Sequence, residues 1–300
     1  MDLKALRYFL TVVREGTITA AARCLHITQP ALSRQLQELE EELGQKLFIR
    51  STRTISLTQE GMFLRKRSEG IMEIVEKTEA DFNSMGELVG GDVYIGGAET
   101  EAMRLIIQVI RELQRDYPEI RYHFHSGSYA DITERLDNGR LDFGLLIQPA
   151  DVAKYDFINL PASDMRGVLI RKDHPLAQKE HVTCQDLLNV PLICSKKFLQ
   201  RMESGRNECI DWFGGNFEKL NIVADYNLIY NARLMVEEGL GCALSLEGLV
   251  NVSGDSPLCF RPLFPPLESK LNLVWKKHQL FSKAAGLFLE RIQEKFSEQK

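Results

Sequence analysis

The pattern of apolar and polar positions divides the chain into three parts. Near the N-terminus, apolar residues recur at helical spacing in three short segments. A longer segment then repeats its apolar positions in alternating steps of four and three residues. Beyond residue 90, short apolar runs alternate with amphipathic helical segments. We therefore expect a small N-terminal domain, one long helix and a larger α/β domain.

The N-terminal part has the pattern of a helix-turn-helix. An amphipathic helix at 3–14 precedes a short, alanine-rich helix, which Thr17 or Thr19 can cap through its hydroxyl. The turn falls at His26-Ile27. The third helix then starts after Thr28, which is placed to cap it, and carries an apolar stripe on one side.

Polar side chains occupy the start of this third helix, opposite its apolar stripe. Glutamine can pair with adenine edges, serine with several bases, and arginine with guanine or a phosphate. An ordinary αα-hairpin with a solvated face would show the same spacing, so this pattern alone leaves both interpretations open. The candidate DNA-binding residues here are Thr28, Gln29, Pro30, Ser33 and Arg34.

Two short alternating runs at 46–57 flank a polar turn and predict a β-hairpin wing. Arg50 and Arg53 lie at its tip. Arginines at a hairpin tip are often only solvated. Beside a helix-turn-helix, contact with phosphates or the minor groove is the better interpretation, so both are candidate DNA-binding residues.

The segment after the wing predicts a dimerisation helix that starts after Thr58. A single-chain core could use its apolar stripe, but a helix of about thirty residues between two other domains has little else to pack on. We expect a seam between two copies of the chain, so that two heads read two half-sites. The candidate seam residues are Ile71, Val75, Thr78, Phe82 and Met85.

The α/β part begins after a Gly90-Gly91 linker. Strands are predicted at 93–97, 120–125, 141–147, 166–171, 190–195, 220–224, 242–246 and 271–275. Helices are predicted at 100–115, 130–138, 200–213, 228–238 and 281–296. Alternation of this kind indicates a mainly parallel sheet.

The motifs together resemble LysR-type transcriptional regulators. The sequence TITAAARCLHITQPALSRQLQELEEELG, followed by LFIRSTRTISLTQEG, is similar to the DNA-binding head of that family over residues 3–61. The resemblance implies a winged helix-turn-helix domain at 1–58, a linker helix at 59–89 and an effector domain at 92–300.

The effector domain of the family resembles type 2 periplasmic binding proteins, with a small-molecule effector between two α/β lobes. Lobe I would comprise 92–161 and 267–300, and lobe II 162–266. The resemblance further implies a homodimer or a dimer of dimers, promoter DNA and RNA polymerase as partners, and effector control of the DNA-binding geometry. It implies no cofactor and no enzymatic activity.

Ligands of open α/β sheets bind beyond the carboxyl ends of strands, at helix N-termini. This rule selects Ala98, Thr100, Ser128, Gln148, Cys194, Ser195 and Asn227. The hydroxyls of Thr100 and Ser128 can cap helices or meet an anion, and the resemblance places both where carboxylate-sensing members hold the effector. Glu99 and Glu101 flank Thr100. If both face the cleft, a cationic or zwitterionic effector is favoured; if both face solvent, nothing follows.

The charge is unevenly distributed along the chain. Residues 1–70 carry eleven Lys/Arg and eight Asp/Glu, a net +3, although the whole chain has a net charge of −5. A basic head on an acidic body suits binding to DNA. The chain contains no apolar run of about twenty residues and no signal-peptide core at its start, so a cytoplasmic location is expected.

The remaining motifs argue against other functions. The six cysteines form no CxxC pair, and Cys194 and Cys209 do not match a peroxide-sensor motif, so buried structural thiols are expected. An α/β enzyme would be the main alternative, but the chain has no P-loop, dinucleotide fingerprint or nucleophile elbow. His123 and His125 share a strand face without further metal ligands. A plain solute-binding protein is disfavoured by the basic head.

Overall fold

The computed structural model describes residues 1–50, 55–83, 90–148, 152–203 and 208–296. The chain divides into two compact units, Met1–Asn83 and Ser84–Lys300. Within the described ranges, every helix is too short or too polar to cross a bilayer.

The first unit is a helical domain with a small hairpin. Its elements are α1 (Leu3–Glu15), α2 (Ile18–Cys24), α3 (Gln29–Leu43), β1 (Phe48–Arg50), β2 (Ile55–Leu57) and α4 (Gln59–Asn83). The two strands pair antiparallel, with Phe48 opposite Leu57. Apolar side chains such as Phe9, Leu32, Leu36 and Leu47 form the core of the unit. The predicted wing therefore packs as part of the helical domain.

Three of the four helices are capped at their N-termini by a side-chain oxygen, from Asp2 for α1, Thr17 for α2 and Thr58 for α4. Of the two candidates for α2, Thr17 is the cap, and its hydroxyl accepts a hydrogen bond from the backbone three residues on. Thr58 does the same for α4. Thr28 stands at the cap position of α3 but makes no capping hydrogen bond, in contrast to the prediction. A capping oxygen accepts from the second or third helical N–H, and Pro30 in the second position has no N–H to offer.

A buried carboxylate joins the end of α3 to the wing. Glu40 is only 3% exposed, and its side chain accepts hydrogen bonds from the backbone N–H groups of Leu47 (2.8 Å) and Phe48 (3.3 Å). The Lys46 ammonium lies 3.1 Å from its other oxygen. Burial by itself would raise the pKa of Glu40, but these donors outweigh it, so the pKa lies below the ordinary value.

The second unit is a mixed α/β domain. Its helices are α5 (Met103–Asp116), α6 (Tyr129–Asp137), α7 (Cys184–Leu187), α8 (Lys196–Glu203), α9 (Glu208–Phe213), α10 (Ile229–Glu237) and α11 (Lys283–Phe296). Its strands are β3 (Gly91–Gly97), β4 (Ile120–Ser126), β5 (Phe143–Ile147), β6 (Tyr155–Arg171), β7 (Pro191–Ser195), β8 (Asn221–Tyr226), β9 (Cys242–Leu246), β10 (Leu258–Pro262) and β11 (Glu268–Lys276).

The strands follow the order β4-β3-β5-β11-β6-β9-β7-β8, and β10 also pairs with β6. One lobe (lobe I) is built on β3, β4, β5, β11 and the start of β6, with its core around Phe143 and Phe288. The other (lobe II) is built on the end of β6 and on β7 to β10, with separate cores around Leu192 and Ile193. Strand β6 therefore contributes to both lobes.

The structure differs from the predicted elements in several places. Among these strands, β3 pairs parallel with β4 and β5, and β7 pairs parallel with β8 and β9. Strands β6, β10 and β11 pair antiparallel with their neighbours. The predicted strand 166–171 is the end of the much longer β6, of which only residues 167–170 form a continuous buried run. Helix α5 starts at Met103 rather than residue 100, the predicted helix 200–213 corresponds to α8 and α9, and β10 was not predicted.

Candidate DNA-binding and ligand-binding sites

The start of α3 presents a polar surface. The Arg34 side chain is 81% exposed, and its Nε donates to Glu38 Oε1 at 2.9 Å, one helical turn along. Gln29 Nε2 lies 3.4 Å from the Ser33 hydroxyl, and Thr28 and Pro30 are exposed. Helix α3 thus separates this polar surface from the buried Leu32 and Leu36.

Only part of the wing lies within the described residues. Arg50 ends β1 and is paired with Ile55 across the hairpin. The side chain of Arg50, and Arg53 entirely, lie outside the described residues.

Helix α4 carries an open apolar groove. Ile74, Val75, Thr78 and Phe82 line it together with Glu79, and the Phe82 ring is 69% exposed. Three predicted seam residues therefore share one surface. Ile71 instead packs against the core of the first unit, and Met85 lies outside the described residues.

A cavity of about 500 Å³ lies between the two lobes of the second unit. Lobe I contributes Ala98, Glu99, Ser126, Gly127, Ser128, Asp131 and Ile147, and β6 contributes Arg166 and Gly167. The other lobe contributes Ser195, Lys196, Phe198, Gln200, Phe213, Tyr226, Asn227, Leu228, Ile229, Leu244, Ser245, Leu246, Leu249, Leu263 and Leu267. The size is typical of pockets for small organic ligands.

Four of the predicted ligand-binding residues line this cavity: Ala98, Ser128, Ser195 and Asn227. Ser128 also caps α6, since its hydroxyl accepts from the N–H of Asp131 at 3.3 Å. Ser195 caps α8 in the same way, by accepting from Phe198 N–H at 3.1 Å. Both hydroxyls therefore lie at helix N-termini that open into the cavity.

The structure places the other three, Thr100, Gln148 and Cys194, outside the cavity wall. Thr100 is buried and donates to Asp164 Oδ1 at 2.8 Å, so its hydroxyl serves lobe packing. Gln148 Nε2 donates to Asn272 Oδ1 at 2.9 Å. The Cys194 side chain is fully buried in the core, which raises the pKa of its thiol to about 12.

Glu99 and Glu101 occupy different surroundings. Glu99 lines the cavity, and its Oε2 accepts a hydrogen bond of 3.1 Å from Ile229 N–H at the start of α10, in the opposite lobe. Glu101 pairs instead with Arg104 at 2.5 Å and is not part of the cavity wall. Only one of the two carboxylates therefore faces the cleft.

Asp131 is held in a close group with two bases. Its oxygens lie 2.5 Å from His125 Nε2 and 3.1 Å from Arg135 Nε. Burial alone would raise the pKa of Asp131, but these two partners outweigh it and lower the pKa. The approach requires glycine at Gly127, where a Cβ would lie 2.0 Å from Asp131 Oδ2.

Arg166 reaches the cavity from β6. Its Nε donates to the buried Ser269 hydroxyl at 3.1 Å, which fixes the guanidinium against β11. The second cation, Lys196, is 62% exposed and lies 3.5 Å from Asp225. Arg166 is thus the more firmly positioned of the two positive charges in the wall.

Known families match both units of the chain. The bacterial regulatory helix-turn-helix protein, lysR family, matches residues 3–62, and the LysR substrate binding domain matches residues 86–297. The chain belongs to the LysR family of transcriptional regulators.

Full-length relatives and solved structures agree with this membership. The LysR-family chain is 30% identical over 285 residues to the HTH-type regulator YfeR of Shigella flexneri, covering 95% of this chain and 91% of YfeR. It is also 30% identical to YybE of Bacillus subtilis over 305 residues, covering 99% and 100%. The fold matches full-length CbnR, solved with its target DNA, with a TM-score of 0.75 at 19% identity, over 98% of this chain and 99% of CbnR.

The strand-end rule missed several cavity residues of this LysR-family regulator. Arg166 is the first residue of the predicted strand 166–171 and lies within the observed β6, so a rule that selects residues beyond the carboxyl ends of strands did not select it. Phe198 and Phe213 line the cavity from α8 and α9, and on the sequence they are indistinguishable from core aromatics. The residue type of Arg166 could have indicated its role, because an arginine within a buried strand needs a partner or a ligand for its charge.

Proposed function

We propose that this LysR-family regulator binds promoter DNA through Thr28, Gln29, Pro30, Ser33 and Arg34 of α3, with Arg50 and Arg53 of the wing as further contacts. The exposed polar start of α3 carries this proposal, because it lies opposite the residues that fix the helix in its core. The start of a recognition helix is the part that enters the major groove. Of these residues, Arg34 offers the strongest single contact.

The proposal predicts that Arg34→Ala weakens binding to the promoter region of the regulator's own gene. One lost base or phosphate contact corresponds to about a tenfold loss of affinity. Arg65→Ala is the matched control, since Arg65 pairs with Glu69 at 2.8 Å in the same i,i+4 arrangement on α4. Gel-shift titrations at fixed salt, with competitor DNA, measure both. Equal affinity of the two variants would contradict the assignment of Arg34.

We further propose that α4 joins two copies of the chain along Val75, Thr78, Phe82 and Met85, with Ile71 at the edge of the seam. The exposed apolar groove on α4 supports this, because an exposed phenylalanine beside Val75 leaves apolar surface to bury. Two such copies would be a homodimer, or half of a dimer of dimers.

Phe82→Glu tests the seam, because a charge there must be desolvated when two helices pack. Met62→Glu is the control: Met62 is 57% exposed on the same helix. At 3.6 residues per turn, the twenty-residue separation puts Met62 on the opposite face. Sedimentation should show dissociation of Phe82→Glu and an intact oligomer of Met62→Glu. An intact Phe82→Glu oligomer would place the interface elsewhere.

We infer that the cavity between the lobes binds a small-molecule effector that changes the geometry of promoter binding. Ala98, Ser128, Ser195 and Asn227 are the predicted residues that support this assignment. The domain division proposed with it is 1–58, 59–89 and 92–300. Membership of a regulator family supports a role as regulator rather than enzyme, in the cytoplasm and beside RNA polymerase.

A further inference from the structure

We propose that the effector of this regulator is an organic carboxylate with an apolar body, and that Arg166 binds the carboxylate. The proposal rests on the cavity being the effector site. It adds the chemical class of the ligand and the residue that recognises its charge.

The negative charges of the cavity wall already have partners. Both oxygens of Asp131 lie at hydrogen-bonding distance from a base, His125 on one side and Arg135 on the other. The Glu99 carboxylate accepts from Ile229 N–H and so occupies the N-terminus of α10. The charge of each carboxylate is thus partly offset by protein donors, which weakens the attraction for a cationic ligand group. The Glu99 carboxylate also occupies the start of α10, where a ligand anion would otherwise bind.

Arg166 is the cavity charge that remains available. Its Nε is used by Ser269, which leaves the two terminal nitrogens. Within the described part of the chain, no carboxylate forms an ion pair with this guanidinium. Ser269 is only 4% exposed, so it holds Arg166 in one orientation. A fixed guanidinium with free terminal N–H groups matches a carboxylate, which it can bind through two parallel hydrogen bonds.

The rest of the wall is suited to an apolar body. Phe198, Phe213, Leu244, Leu263 and Leu267 are all less than 9% exposed and line the cavity from lobe II. Hydroxyl groups of a sugar that lay against these five side chains would have no hydrogen-bond partner there, at a cost in affinity. An aromatic ring or branched alkyl chain instead gains from leaving water.

The test is a titration of the full-length protein with matched probes. Tryptophan fluorescence provides the signal, because the Trp212 ring lies 4.9 Å from Phe213 in the cavity wall. The anionic probes are 3-phenylpropanoate and 4-methylpentanoate. The comparison probes are 3-phenylpropanamide (neutral), 3-phenylpropylamine (cationic), phenylalanine (zwitterionic) and acetate (no apolar body).

We expect saturable binding of at least one of the two anionic probes at millimolar concentrations, and binding at least about tenfold weaker for the amide, amine and acetate. Phenylalanine should bind no more tightly than 3-phenylpropanoate, because its ammonium must lose water beside carboxylates that already accept hydrogen bonds from protein groups. Tighter binding of the amine or of phenylalanine would overturn the proposal. So would the failure of both anionic probes to bind.

Arg166→Gln should weaken carboxylate binding at least about tenfold and leave binding of the amide unchanged. Arg166→Lys keeps the positive charge but cannot make the two parallel hydrogen bonds of a guanidinium, so it should retain part of the carboxylate affinity. This second variant also keeps the test valid if Arg166→Gln fails to fold. Arg121→Gln is the control: Arg121 lies on β4, is 77% exposed and is outside the cavity wall. Unchanged carboxylate affinity in both Arg166 variants would overturn the proposal.

A separate measurement distinguishes failure of the proposed effector class from failure of the proposed DNA-binding function. Gel shifts with the promoter region, in the same preparations, report DNA binding. Intact DNA binding with no carboxylate response in any arm would leave the regulator assignment standing and remove the effector class. Loss of DNA binding in the wild type would instead remove the function on which the inference rests.

Discussion

The buried Glu40 carboxylate should hold the wing onto the recognition helix. In Glu40→Ala, the backbone N–H groups of Leu47 and Phe48 lose their acceptor, and these residues are 1% and 6% exposed. Each buried, unsatisfied donor costs about 1–3 kcal/mol. Loss of the desolvation penalty of the carboxylate offsets part of this, so we expect a net destabilisation of about 3 kcal/mol.

Hydrogen exchange measured by mass spectrometry on the full-length protein can detect this change. The two tryptophans, Trp212 and Trp275, both lie in the second unit, so fluorescence would not report unfolding of the first. A loss of about 3 kcal/mol corresponds to exchange roughly a hundredfold faster in peptides that cover residues 45–50.

Glu41→Ala is the matched control, because Glu41 is the exposed neighbour on α3 and its carboxylate accepts a hydrogen bond from Gln37 Nε2 at 3.1 Å on the helix surface. A surface substitution of this kind should change stability by less than about 0.5 kcal/mol. If the wing of Glu40→Ala exchanged no faster than that of Glu41→Ala, the buried carboxylate would not be what secures the wing.

The Glu40 carboxylate should also make the stability of the first unit depend on pH. Since the pKa of folded Glu40 lies below the ordinary value of 4.5, its contribution to stability is complete above that value. It is lost as the pH falls through the folded pKa. Glu40→Gln lacks this titration, so wing exchange in that variant should depend less on pH below 4.5 than in the wild type.

Three further substitutions test individual contacts. Gly61→Ala should destabilise the first unit by about 1–3 kcal/mol and accelerate wing exchange, because the new Cβ would lie 2.2 Å from Leu47 O. Cys194 should resist alkylation in the native protein, since burial raises the pKa of its thiol to about 12; rapid labelling by iodoacetamide at neutral pH would contradict the described burial. Gly127→Ala should weaken carboxylate binding by pushing Asp131 away from His125, and calorimetry that showed unchanged affinity would mean that this group does not shape the cavity.

The sequence was sufficient for the elements whose periodicity is regular. Strand β9 was predicted at 242–246 and observed at Cys242–Leu246, because it is a short apolar run that ends at turn residues. Strand β6 shows where this fails. Its first half pairs with β11 but alternates irregularly between buried and exposed positions, so no periodic signal marks it.

The candidate ligand site was predictable only where local rules apply. Ser128 and Ser195 follow strands and start helices, so the strand-end rule found both. The same rule selected Thr100, whose hydroxyl is instead used by Asp164 on β6, sixty-four positions along the chain. A contact between such distant residues depends on how the lobes pack, which no local pattern records.

An effector in this cavity would act by favouring the closed arrangement of the two lobes. A ligand shifts an equilibrium only by binding its states with different affinity. Here the carboxylate of a bound ligand would contact Arg166 on β6, the strand that both lobes share. The apolar body of the ligand would contact Phe213 in lobe II, and Ser128 would line the same cavity from lobe I. Separation of the lobes would remove one set of contacts. It would also break the hydrogen bond between Glu99 and Ile229, so the ligand and this bond favour the same closed arrangement. Glu99→Gln, which weakens that bond without touching Arg166, should therefore reduce carboxylate affinity less than Arg166→Gln does.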